Sequence, residues 1–123
     1  MTTKTPLAAI AAALLLGSAA RAAEPPKKTP ELVAKGQASF GKYCASCHGP
    51  NGAGDGPAAR ALNPKPRNLV TEPLKNGATP AGVFETLSTG VKGTAMVPFK
   101  HLSEEDRWAL AYYVLSLRGG AKK

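Results

Sequence analysis

Cys44-Ala45-Ser46-Cys47-His48 gathers both cysteines of the chain and one of its two histidines into five residues. The pattern is C-x-x-C-H, the spacing of c-type haem attachment. On one helical turn, positions i, i+3 and i+4 share a side. Two thiols so placed can add to the two vinyl groups on one haem edge, and the next imidazole then sits beneath the iron. Three other chemistries use the same residues and stay open here. A redox-active C-x-x-C belongs in a thioredoxin-like βαβ setting, which the surrounding sequence does not offer. Zinc would draw on Cys44, Cys47, His48 and His101, but adjacent Cys47 and His48 fit the usual C-x-x-C…H-x-x-x-H spacing badly. A structural disulfide between Cys44 and Cys47 would close a very short loop and constrain little.

An iron held by His48 needs a ligand on its other face, and the candidates are Met96 and His101. Met96 sits 48 residues beyond His48 in Gly93-Thr94-Ala95-Met96-Val97-Pro98-Phe99, an irregular stretch flanked by Gly and Pro. Such a strap can cross a haem face and present one side chain. A lone Met more commonly fills a gap in a core; its place in a loop favours ligation. His101 is expected at the surface. A neutral, soft thioether favours Fe(II) and raises the reduction potential. It also fills the second axial position, so no open site is left for oxygen or peroxide.

The elements that must position these groups read as helices and long loops. Thr29 is an N-cap with Pro30 at N1 and Glu31 in the first turn, and Val33, Gly36, Phe40 and Tyr43 continue a helix to about Tyr43. Gly, Pro and Asn dominate from Gly49 to Thr71, leaving at most one helical turn around Ala58–Leu62. Thr79-Pro80 opens a short helix that Gly90 stops. Ser103 caps a final helix with Glu104, Glu105 and Asp106 in its first turn, suited to the helix dipole. That helix is expected to reach about Leu117. Ala109, Leu110, Tyr113, Val114 and Leu117 form one apolar stripe on it, and Trp108, Tyr112 and Leu115 a second. No segment alternates convincingly as a strand. The chain reads as all-α, with three to five helices. Asn51-Gly52-Ala53-Gly54-Asp55-Gly56 lacks the endings of a phosphate or calcium loop and reads as a tight turn at the haem edge.

The chain has 123 residues, room for one domain. With 43% apolar residues it is neither disordered nor a membrane protein. Aromatics are only 6%, so a haem would supply much of the core, and without it little fixed tertiary structure is expected. Lys4, the apolar run Leu7–Gly17 and the Ala20-Arg21-Ala22 site describe a secretory signal peptide over residues 1–23. The run is too short to span a membrane, which takes about 20 apolar residues; no stable membrane insertion is expected after cleavage. Residues 24–30 read as a flexible lead-in and 119–123 as a basic tail. Removing residues 1–23 takes away Lys4 and Arg21 and no acid, which lowers the formal charge from +8 to +6.

From Glu31 to Arg118 the chain resembles a class I monohaem (His/Met) bacterial cytochrome c. Gly36 and Phe40 stand before Cys44 as in that family's first helix, and Leu110 and Tyr113 match the last helix, which crosses it there. Pro64-Lys65-Pro66-Arg67-Asn68-Leu69 and Gly93-Thr94-Ala95-Met96 resemble stretches of a subset of members. One departure is Met96-Val97-Pro98, where many relatives place Pro directly after Met. The resemblance implies the small cytochrome c fold wrapped around one covalent haem c, with Cys44 and Cys47 as thioethers and His48 and Met96 as iron ligands. By the same resemblance, the Pro57 carbonyl of Gly56-Pro57 would accept the His48 N–H, and Arg67 and Asn68 would face the haem propionates.

The implied function is periplasmic electron transfer through the exposed haem edge, with no catalytic residues. The alternative is a dedicated haem subunit of a larger oxidoreductase complex. A sensor or peroxidase would need a labile sixth ligand. Lysines spread along the chain suit weak, fast docking on acidic patches of redox partners; nucleic acid is not an expected partner of an exported protein.

Overall fold

A computed structural model describes Thr2 and residues 23–119. Nearly all of the expected signal peptide, and the basic tail beyond Gly119, lie outside the described residues. Among the described residues four helices form: α1 (Pro30–Tyr43), α2 (Ala45–His48), α3 (Pro80–Thr89) and α4 (Glu104–Gly119). A single 3-10 turn covers Ala59–Ala61, and the described residues contain no strand. The fold is the all-α one expected.

Side-chain caps set the helix starts. Thr29 accepts the Leu32 amide at 3.1 Å and Thr79 the Gly82 amide at 3.0 Å, each with Pro in the first turn. At α4, Ser103 Oγ accepts the Asp106 amide (3.1 Å) and donates to its carboxylate (2.9 Å). Lys35 on α1 reaches Glu105 and Asp106 on α4, both at 3.1 Å. The Ser103 hydroxyl, then Lys35, hold the Asp106 carboxyl below its usual range.

The core lies where α1 crosses α4. Phe40 and Leu110 are fully buried there, and the Phe40 ring meets Tyr113 at 5.2 Å, tilted by 60°. Helix α3 covers α4 from another side by stacking Phe84 on Trp108, ring centroids 3.9 Å apart. Arg107 lies over the outer face of Phe84 at 4.7 Å and donates to Ser88 Oγ at 2.6 Å. The lead-in is not free along its whole length, since the Tyr112 hydroxyl donates to the Pro26 carbonyl at 2.6 Å.

Gly36 permits the crossing. A Cβ there would run into the Ala109 carbonyl oxygen and lie 2.8 Å from Tyr113 Cβ. Ala in place of Gly contributes about 0.5–1 kcal/mol through helix propensity, whereas overpacking costs about 1–3 kcal/mol. The obstacle here is backbone, which cannot rotate away. We expect Gly36→Ala in the haem-loaded protein to lose about 1–2 kcal/mol net. The measurement is a guanidinium midpoint at unchanged slope; a midpoint equal to or above wild type would contradict so tight a crossing.

Candidate cofactor site

Helix α1 stops at Cys44, whose amide still bonds the Phe40 carbonyl (2.9 Å), and the chain restarts at once as the four-residue α2. So short a helix leaves its last carbonyls without intrahelical partners. The glycine-rich loop supplies them: the Gly54, Gly56 and Ala58 amides donate to the carbonyls of His48 (2.7 Å), Cys47 (3.1 Å) and Ser46 (2.9 Å). Gly56 must come this close, because a Cβ on it would strike the Ser46 carbonyl and sit 2.6 Å from that of Ala45. Residues 51–56 do turn tightly, but none of them lines the cavity; with Ala58, their amides close α2.

Cys44, Cys47 and His48 face a cavity of about 520 Å³, within the range of about 300–1,000 Å³ usual for small-molecule and cofactor sites. Phe40 and Leu110 line it from the α1–α4 crossing, Val83 and Leu87 from α3, and Met96 and Phe99 from the strap. Lys65, Arg67, Glu72 and Lys75 bring charge to the lining from one segment, residues 62–75.

Each thiol and ring has a defined environment. Both cysteines are free thiols. Burial, with a smaller contribution from the nearby Cys47, pushes the Cys44 thiol up to about 11. A reactive C-x-x-C instead has a depressed thiol pKa, about 3.5–7.5, so dithiol exchange is poorly served. The His48 Nδ1–H donates to the Arg67 carbonyl at 3.0 Å, leaving Nε2 as the free donor atom. Burial lowers the His48 pKa against the opposing pull of that carbonyl, which keeps the imidazole neutral, as a metal ligand must be.

Two expectations need correction. The partner of His48 is the Arg67 carbonyl and not that of Pro57. Pro57 is exposed and does not line the cavity, because its neighbours Gly56 and Ala58 turn their amides to α2. Asn68 does not line the cavity either. Its carboxamide oxygen caps its own turn, accepting the amides of Val70 (2.9 Å) and Thr71 (3.2 Å). Arg67 does line the cavity while its guanidinium donates to the Pro73 carbonyl. His101 is exposed, with its ring 5.7 Å from Phe99, and lies off the lining. Among the described residues no group of three His, Cys, Asp or Glu side chains is placed closely enough to hold a metal ion.

The donor set suits a porphyrin iron. Two thiols and one neutral imidazole with a free Nε2 line one apolar cavity, which Met96 also lines. Sequence reasoning missed the Arg67 carbonyl and the Arg118 guanidinium. The latter donates to the Leu69 (2.7 Å) and Glu72 (2.9 Å) carbonyls and holds the 62–75 segment against the end of α4.

Known proteins agree with this arrangement. A family model described as Cytochrome c matches residues 33–118. A chain of the Kuenenia stuttgartiensis reducing HAO-like protein complex is 34% identical, with a TM-score of 0.64. That match covers 82% of the present chain and 48% of the other, so this chain spans about half its neighbour's length. No curated protein matches it. With the family model covering most of the sequence, the helical layout as expected and the C-x-x-C-H turn opening onto an apolar cavity, the chain belongs to the cytochrome c family.

Proposed function

We propose that this cytochrome c is a periplasmic carrier of single electrons, using one covalent haem c attached at Cys44 and Cys47 and ligated by His48 and Met96. The observation that supports it most is the shared cavity, in which His48, with Nδ1 already bonded to the Arg67 carbonyl, and Met96 are both lining residues. Haem c at this site would supply reversible Fe(III)/Fe(II) exchange. The chain's own residues do the rest. The Arg67 carbonyl fixes the tautomer and orientation of the His48 ring and raises its basicity. Met96, on the cavity wall, would hold the place an exogenous ligand would need. Phe40, Val83, Leu87 and Leu110 give the cavity an apolar wall.

The rim suits brief encounters. Tyr43 and Val97, the exposed large apolar side chains of the described residues, both line the cavity, and so do the exposed Lys65 and Lys75. Lys42, Lys92 and Lys100 are also exposed. An acidic docking patch on the partner would complement them. Export rests on the signal peptide read over residues 1–23. No described helix is long and apolar enough to cross a membrane. A second reading, a haem subunit of a larger redox complex, is favoured by the structural neighbour, a chain of about twice the length from a protein complex.

Three outcomes are expected. Cys44→Ser/Cys47→Ser should abolish the covalent haem spectrum of the pyridine-treated, reduced protein. Met96→Ala should let the reduced protein bind carbon monoxide at neutral pH far faster than wild type, in which the thioether must first leave. It should also lower the midpoint potential by tenths of a volt, inside the roughly 0.8 V range that axial ligands span. Unchanged potential and ligand binding would remove Met96 from the site. Stopped-flow electron transfer to an acidic partner should slow about tenfold or more from low to high ionic strength; rates indifferent to salt would argue for the complex subunit instead.

A further inference from the structure

A single hydroxyl ties together the strap that carries Met96. Thr94 Oγ1 donates to the Val91 carbonyl at 2.7 Å and accepts the Met96 amide at 3.1 Å. The Thr94 amide reaches the same Val91 carbonyl (3.2 Å), and the Val91 amide donates to the Met96 carbonyl (2.9 Å). Residues 91–96 therefore form a closed turn, tied at its ends by backbone and across its middle by the Thr94 side chain. Gly93 and Ala95 carry no polar side chain, and Lys92 is exposed. On the outer side, the Met96 carbonyl abuts the end of α3, where a Cβ on Gly90 would come within 2.7 Å of it.

We propose that Thr94 is a positioning residue for the Met96 sulfur: its hydroxyl bridges the Val91 carbonyl and the Met96 amide and holds the strap in the arrangement that aims Met96 into the cavity. The inference deepens the reading of Met96 as axial ligand and rests on it. A thioether is a neutral and weak donor, so its hold on a metal depends on how often the backbone offers it in place. Removing the hydroxyl leaves the Met96 amide and the second Val91 bond without their side-chain partner. The turn then opens more often, and the sulfur leaves with it. Val keeps the branched shape of Thr and lacks the hydroxyl; Ser keeps the hydroxyl and lacks the methyl.

The test uses the exported, haem-loaded full chain as wild type, Thr94→Val, Thr94→Ser and Met96→Ala. Carbon monoxide uptake by the reduced protein, the ferric sulfur-to-iron absorption and the thermal midpoint are read together. Thr94→Val should take up carbon monoxide about tenfold faster than wild type, the scale of one or two lost hydrogen bonds, and its sulfur-to-iron absorption should weaken. Thr94→Ser should stay within about twofold of wild type. If Met96→Ala opens the site and Thr94→Val behaves as wild type, Thr94 is a bystander and the inference fails while Met96 ligation stands. Equal losses in the Val and Ser variants would assign the effect to methyl packing and overturn it as well. If Met96→Ala itself matches wild type, the ligand assignment falls first and the inference with it.

Discussion

Because Gly36 has no side chain, α1 can lie directly against the Ala109 carbonyl of α4, and the positions of the functional groups follow from that contact. Helix α1 delivers Cys44 at its end, so its approach to α4 sets where the C-x-x-C-H turn begins. Helix α4 sends Leu110 and Val114 into the cavity wall beside Phe40 of α1. A wider crossing would move the wall away from the turn. Polar contacts on the exposed side of the crossing, Lys35 with Glu105 and Asp106, are surface pairs and contribute little. Close packing of Phe40, Leu110 and Tyr113 carries the energy.

Core and candidate cofactor site share much of their wall in this molecule. Phe40, Val83, Leu87, Leu110 and Val114 belong to the buried cluster and also line the cavity. A chain with 6% aromatics has few large side chains to close such a space from within. A flat, apolar macrocycle would complete the packing that the side chains begin, as metal or cofactor staples commonly do in small domains. Electron transfer gains from the same economy. A haem held there would be enclosed by residues of the α1–α4 contact, which would resist relaxation on a change of iron charge.

Much of this was legible because local chemistry determines it. Thr29, Thr79 and Ser103 each cap the helix they were expected to cap, and the C-x-x-C-H turn folds as a helical turn facing a cavity. The Gly36/Phe40 contact with the last helix was readable from the family resemblance. What escaped the sequence shares one feature: a backbone carbonyl as partner. His48 with Arg67, Tyr112 with Pro26 and Arg118 with Leu69 and Glu72 all end on main-chain oxygens. Every residue has one, so no residue type marks the acceptor. Asn68 misleads for a related reason, since a carboxamide is equally able to cap its own turn.

The residue inserted between Met96 and Pro98 shows how the strap absorbs a change in spacing. Val97 is 55% exposed and lines the cavity at its rim, so the added residue extends the rim and not the interior. Before it, the closed turn 91–96 ends on the bond between the Val91 amide and the Met96 carbonyl. After it, the Phe99 amide returns to the Leu87 carbonyl at 2.7 Å and brings the Phe99 ring back to the cavity. The two anchors stand on either side of the insertion, and Met96 and Phe99 both line the cavity. The same bulge sets an apolar side chain at the rim beside lysines, where a docking partner would meet it. A departure from the family's spacing that keeps Met96 on the cavity wall therefore changes the outer surface instead.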